Sequence, residues 1–201
     1  MRQAMAQATR KAARASGGRP VPAHNLHVTL AFLGSVAERR LAELAGVARA
    51  AALGWDFASV GSPGGPQNPA GESAAPSESA DSSGCRLEIV FDRLEYWRAA
   101  HLLCALPTEP LAAVAGLAQR LQDRLAASGF APDLKSSWSV ELDITRQFRP
   151  HVTLARKVHR PPRVMEMQPI TWRFTDFVLV DSRTLPDGSV YTVLERFSFT
   201  R

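Results

Sequence analysis

The chain has 201 residues, enough for one ordinary domain or two small lobes. A content of 45% hydrophobic and 21% charged residues excludes global disorder, and no stretch approaches the ~18 apolar residues of a membrane-spanning helix. Twenty-four Lys and Arg against 19 Asp and Glu give +5 at neutral pH, a weak bias toward polyanions such as nucleic acid. Cys85 and Cys104 are too few for a disulfide framework or a four-thiolate zinc site, so free thiols in a reducing cytoplasm are expected. Met1 to Arg14 holds no apolar run, so no secretory signal is expected there.

Residues 2–15 are rich in Ala, Gln, Lys and Arg and read as a polar helix, stopped by Gly17-Gly18 and kept from resuming by Pro20 and Pro22. Leu26-His-Val-Thr-Leu-Ala-Phe32 alternates apolar and polar residues, which predicts a strand. Ser35-Val-Ala-Glu38 reads as a capping box opening a helix with Leu41, Leu44, Ala48 and Ala51 on one face and its end at Gly54. Of the 24 residues 61–84, 15 are Gly, Pro or Ser and none is aromatic or β-branched. Such a segment cannot offset its ordering entropy and is expected to be a disordered surface insertion.

Strands are predicted at Arg86–Phe91 and His101–Leu106. Thr108-Glu-Pro then starts a helix carrying Leu111, Val114, Leu117, Leu121 and Leu125, ended by Gly129. A further strand covers Pro150–Arg156, and a final hairpin joins Trp172–Asp181 to Val190–Phe199 through Leu-Pro-Asp-Gly188. This order of elements predicts an α+β fold rather than a parallel doubly wound sheet.

His-Val-Thr-Leu-Ala occurs at 27–31 and again at 151–155. With roughly 20,000 position pairs in the chain, an identical pentamer is expected by chance on the order of 0.02 times at average composition. In a strand, alternate side chains share a face, so His27 and Thr29 point one way and Val28 and Leu30 the other. The same holds for His151 and Thr153 against Val152 and Leu154. A lone strand histidine is ordinarily structural; a repeated His-x-Thr with identical neighbours is not.

Two opposed imidazoles suit in-line displacement at phosphorus, one taking a proton from the attacking oxygen and the other giving one to the leaving oxygen. With an unperturbed pKa near ~6.5, one can be neutral and the other charged near neutral pH. The Thr29 and Thr153 hydroxyls can donate to non-bridging phosphoryl oxygens, and Arg156 adds a guanidinium for the same phosphate. This chemistry needs no metal or cofactor. His24 and His27 are three apart, but Pro22 argues against a helix there and no third ligand is near. His101 and His159 read as structural or solvated. Trp55, Trp97, Trp138 and Trp172 read as core or rim, and Ser139 and Ser182 lack a His–Asp partnership.

Val21-Pro-Ala-His-Asn-Leu-His-Val-Thr-Leu-Ala-Phe-Leu-Gly34 and Phe148-Arg-Pro-His-Val-Thr-Leu-Ala-Arg156 resemble the paired His-x-Thr-x motifs of the two-histidine (2H) phosphoesterases. The resemblance is closest to the bacterial RNA 2′,3′-cyclic phosphodiesterases, also called 2′-5′ RNA ligase-like proteins. Phe91-Asp-Arg-Leu-Glu-Tyr-Trp97, Phe177-Val-Leu-Val-Asp-Ser-Arg183 and Tyr191-Thr-Val-Leu add to it, so that it covers most of the chain from Pro20 onward.

It implies a single bilobal domain over 1–201. Two antiparallel sheets with flanking helices would be related by a pseudo-twofold, with an active-site cleft between them. It further implies hydrolysis of RNA 2′,3′-cyclic phosphate ends to 2′-phosphates, with His27 as proton donor and His151 as proton acceptor. RNA with such an end, or a small cyclic nucleotide, is the expected partner of a monomer without a membrane. Turnover of small cyclic nucleotides, 2′-5′ ligation and RNA-end binding without turnover stay open. Family members usually carry a strand before the first helix, whereas this chain starts within that helix, so either Met1 is not the true start or one sheet lacks a strand.

Overall fold

The computed structural model describes residues 1–53, 87–109, 111–130, 148–162, 166–186 and 188–199. The expected insertion at 61–84, Gly54, Cys85, Trp55, Trp138 and Ser139 lie outside them. The fold is α+β, with helices set against two antiparallel sheets.

The first helix, α1 (Arg2–Ala15), buries Met5, Thr9 and Ala13, four residues apart and therefore on one stripe. It ends where Gly17 adopts φ +68. Gly18 is required by a close approach. A Cβ there would meet the Arg156 carbonyl oxygen at 2.7 Å and Val158 Cγ2 at 2.8 Å. That contact sets β1 (Arg19–Pro20) against the strand that carries the second motif.

The second helix, α2 (Leu41–Ala52), buries Leu44, Ala45, Ala48, Ala51 and Ala52. The expected capping box does not form. A 3₁₀ turn over Glu38–Arg40 precedes the helix, and neither has a side-chain cap. Arg40 instead pairs with Glu43 and donates to the Ser128 carbonyl at 2.8 Å, neutralising the carbonyl end of a neighbouring helix. That helix, α3 (Ala112–Ala127), starts later than Thr108, at Ala112, and packs Val114, Leu117, Ala118, Leu121 and Leu125 against α2 and the sheet.

Strands β2 (Leu87–Trp97), β3 (Leu102–Leu106), β4 (Val152–Arg156) and β5 (Glu166–Phe174) join β1 in the order β1-β4-β3-β2-β5. Every pairing is antiparallel. The final hairpin is β6 (Asp176–Leu185) with β7 (Gly188–Ser198), the second sheet, which has two strands among the described residues. Trp172 to Phe174 thus belong to β5, paired with β2, and not to the hairpin. The alternating Ile170, Trp172 and Phe174 are followed closely by Phe177–Val180, and only the bend at Thr175 divides the two strands.

The predicted strand at Leu26–Phe32 also differs. Among the described residues, no ladder includes it. Its alternation survives all the same, because Leu26, Val28 and Leu30 enter the main core. Two side-chain amides hold it in place of ladder bonds. Asn25 Nδ2 donates to the Ser189 carbonyl of β7 at 2.9 Å, and Gln122 Nε2 of α3 donates to the Leu30 carbonyl at 3.0 Å. No helix among the described residues is long and apolar enough to cross a membrane.

Candidate active site

Alternation along β2, β3 and β4 divides the five-stranded sheet into two faces. Leu94, Leu103, Ala105, Val152 and Leu154 turn to the main core. Trp97, Leu102, Cys104 and Leu106 turn the other way and form a small apolar cluster of their own. The register sets Glu95 opposite Cys104 and Cys104 opposite Thr153, one row across three strands. His151, two residues before Thr153, shares this face and lies with its ring 4.5 Å from that of Trp97.

His151 Nδ1 donates to the Arg149 carbonyl at 2.9 Å. A carbonyl can only accept, so Nδ1 carries the proton and Nε2 is the nitrogen left to exchange one. Behind it, the Glu95 carboxylate accepts from Arg149 Nη2 at 3.0 Å and 3.2 Å and from Trp97 Nε1 at 2.7 Å. One carboxylate thus fixes both the residue whose carbonyl orients His151 and the ring that packs beside it.

His27 repeats the arrangement on the other side. Its Nδ1 donates to the Asn25 carbonyl at 2.7 Å, again two residues upstream, and Tyr191 of β7 packs edge-on at 4.8 Å between ring centroids. Arg156, at the end of β4, donates to the Tyr191 hydroxyl at 3.2 Å. This bond ties the five-stranded sheet to the hairpin sheet beside the first histidine.

Burial lowers the pKa of both imidazoles below the ordinary value of 6.5, because the charged form is desolvated. The carbonyl bonds act in the opposite direction. Beyond them the two sites differ. The Arg156 and Arg2 guanidiniums push His27 further down, whereas His151 is pushed down by His27 and Arg149 and pulled up by Glu95. The charge of His27 is therefore felt at His151.

Of the residues picked out from sequence, His27, His151 and Arg156 converge. Thr153 is half-buried on the His151 face, and Thr29 is exposed. His101 is structural, as read: its Nδ1 donates to the Val158 carbonyl at 3.1 Å, closing the β2–β3 turn onto the end of β4. No group of three or more His, Cys, Asp or Glu that could hold a metal ion occurs among the described residues. Sequence reasoning missed Tyr191, Glu95 and Arg149 as parts of the site and placed Trp97 only as core or rim. Glu95 and Trp97 did carry a signal, standing two apart on a strand.

A family model for the 2′-5′ RNA ligase superfamily matches residues 2–185. The chain belongs to this superfamily. This 2H phosphoesterase is 30% identical to a Thermus thermophilus protein named RNA 2′,3′-cyclic phosphodiesterase, over 98% of the chain and 84% of that protein. Among solved structures, Escherichia coli LigT complexed with NADP+ superposes with a TM-score of 0.68 at 22% identity, covering 100% of this chain and 91% of that one. TT0787 of Thermus thermophilus gives a TM-score of 0.66 at 25% identity, covering 98% and 91%. These likenesses carry the fold. The 2H superfamily member thus keeps its expected α+β architecture, with Arg156 and Tyr191 joining its two sheets beside His27.

Proposed function

We propose that this 2H phosphoesterase hydrolyses 2′,3′-cyclic phosphate ends of RNA to 2′-phosphates by acid–base catalysis between two histidines. The observation that carries the reading is the matched pair of imidazoles. Each has Nδ1 committed to the carbonyl two residues upstream, and His151 lies within the field of His27.

In the reaction, water attacks phosphorus and His151 Nε2 takes its proton. The bond from phosphorus to O3′ breaks, and protonated His27 gives its proton to the departing oxygen. The products are a 2′-phosphomonoester and a 3′-hydroxyl. His151 ends protonated and His27 neutral, and exchange with solvent restores both. Arg156 and the Thr29 and Thr153 hydroxyls stabilise the charge on the non-bridging oxygens. The cations around His27 disfavour its protonated form in the empty site. The anionic phosphodiester, seated beside Arg156, offsets them and favours the proton that the acid step needs.

The name of the Thermus thermophilus relative supports this substrate class. The test is hydrolysis of an oligoribonucleotide ending in a 2′,3′-cyclic phosphate, in EDTA, by wild type, His27→Ala and His151→Ala. The expected outcome is a 2′-phosphate product, indifference to the chelator and a fall of ~10²-fold or more in each variant. A 3′-phosphate product, loss of rate in EDTA, or an active alanine variant overturns the mechanism. Tight binding by wild type without any product would make the protein an RNA-end binder.

A further inference from the structure

Basic residues are distributed unevenly over this molecule. The first 37 residues contain Arg2, Arg10, Lys11, Arg14 and Arg19 and no Asp or Glu. All five basic side chains are exposed, and none has an ion pair among the described residues. Later in the chain acidic residues are interspersed, and seven of the 14 described basic residues there are ion-paired. Arg40, Arg49, Arg93, Arg149, Arg173, Arg183 and Arg196 each hold a carboxylate.

Four of the five unpaired cations lie on α1, with no acid in its first turn. Arg10 and Arg14 are four apart and Lys11 and Arg14 three apart, spacings at which like charges oppose the helix. The buried stripe of Met5, Thr9 and Ala13 fixes the helix in the core, so its basic side is presented in one orientation.

Both ends of α1 meet the site. At its start, Arg2 Nη1 donates to the His24 carbonyl, three residues before His27, and its charge is felt by the His27 imidazole. At its end, the chain passes against the Arg156 backbone at Gly18, and Arg19 pairs across the ladder with Arg156. Arg2 lies on the side of the buried stripe, whereas Arg10, Lys11 and Arg14 lie opposite it; they span about 6 Å of the axis at ~1.5 Å per residue, and their long side chains reach a short run of phosphates.

We infer that the exposed basic side of α1 is the track for the RNA backbone upstream of the reacting end. The site thus takes a polynucleotide strand in preference to a mononucleotide. This rests on the proposed reaction for the position of the reacting end. The track supplies affinity without reading sequence, because cations facing phosphates carry no base information.

The test compares wild type with the triple variant Arg10→Gln/Lys11→Gln/Arg14→Gln on two substrates with a 2′,3′-cyclic end, an octaribonucleotide and a mononucleotide. A control variant, Arg173→Gln/Arg183→Gln/Arg196→Gln, removes the same charge from elsewhere on the surface. Binding of the octamer is read by fluorescence anisotropy across a salt series, and hydrolysis by product formation. At ~0.7 per phosphate for single strands, loss of three contacts flattens the log–log salt dependence by about 2. KM for the octamer is expected to rise roughly tenfold, with the mononucleotide's kcat/KM unchanged and the control variant like wild type.

Equal effects on both substrates, no effect on the octamer, or an equal effect of the control variant overturns the track. The two readings fail separately. A wild type that binds the octamer with the expected salt dependence and yields no product keeps the track and loses the reaction. One that hydrolyses both substrates with no difference between variants keeps the reaction and loses the track.

Discussion

The same five residues, His-Val-Thr-Leu-Ala, are held in two different ways. At 151–155 they run into β4, which is paired on one side with β1 and on the other with β3. At 27–31 they lie outside every ladder among the described residues, anchored by apolar side chains below and by the amides of Asn25 and Gln122. Yet both imidazoles finish alike, with Nδ1 on the carbonyl two residues upstream and an aromatic ring alongside. Alternation and the short carbonyl bond are local, so they repeat with the pentapeptide. Ladder and charge environment are supplied by the rest of the fold, so they do not.

The largest effect sought is a test of whether the two halves act as one unit. His27→Ala and His151→Ala should each lose ~10²-fold or more, and the double variant should lose little beyond the worse single, since residues that act together are not additive. Rates in single-turnover conditions check this; losses that multiply would show two independent contributions. Next in size is the anchor of the unladdered half. Asn25→Ala removes the bond to Ser189, and a displaced His27 should lower kcat by roughly tenfold with KM nearly kept. An unchanged kcat would show that the core side chains suffice.

The charge difference gives a smaller, signed effect. Glu95 raises the pKa of His151, and the facing Arg149 and His27 lower it. Glu95→Gln therefore moves His151 to a lower pKa, and the acid limb of the kcat/KM profile should shift to lower pH with the alkaline limb in place. A shift of the alkaline limb instead would exchange the two roles. The smallest effect is on stability. Both imidazoles titrate below their ordinary value in the fold, so on acidification the unfolded chain binds more protons and stability falls as pH drops below about 6.5. Urea midpoints at about pH 7.5 and about pH 5.5 should show a larger loss for wild type than for His27→Gln/His151→Gln.

Much of the candidate site was legible because the same pentapeptide occurs twice. His27 and His151 stood out by repetition, Arg156 by its place after the second motif, and the alternation that presents them holds in both settings. Tyr191 lies within a segment that resembles the family, but nothing local says that its ring meets a residue 164 positions earlier. Glu95 and Arg149 are 54 apart and became partners only when β2 and β4 entered one sheet. The capping box failed for the opposite reason. Ser35 and Glu38 had the right spacing, and the packing of Arg40 onto the end of α3 set the helix start elsewhere.

Sequence alone determined the α+β class, the helix faces, the sheet-facing alternation and the two histidines, because each depends on spacing within a few residues. Tertiary structure alone decided which strand paired with which, and that the first motif needs no ladder. It also decided that one histidine lies by a carboxylate and the other among arginines. Those depend on contacts between distant residues, and a field that falls with distance in space carries no trace along the chain.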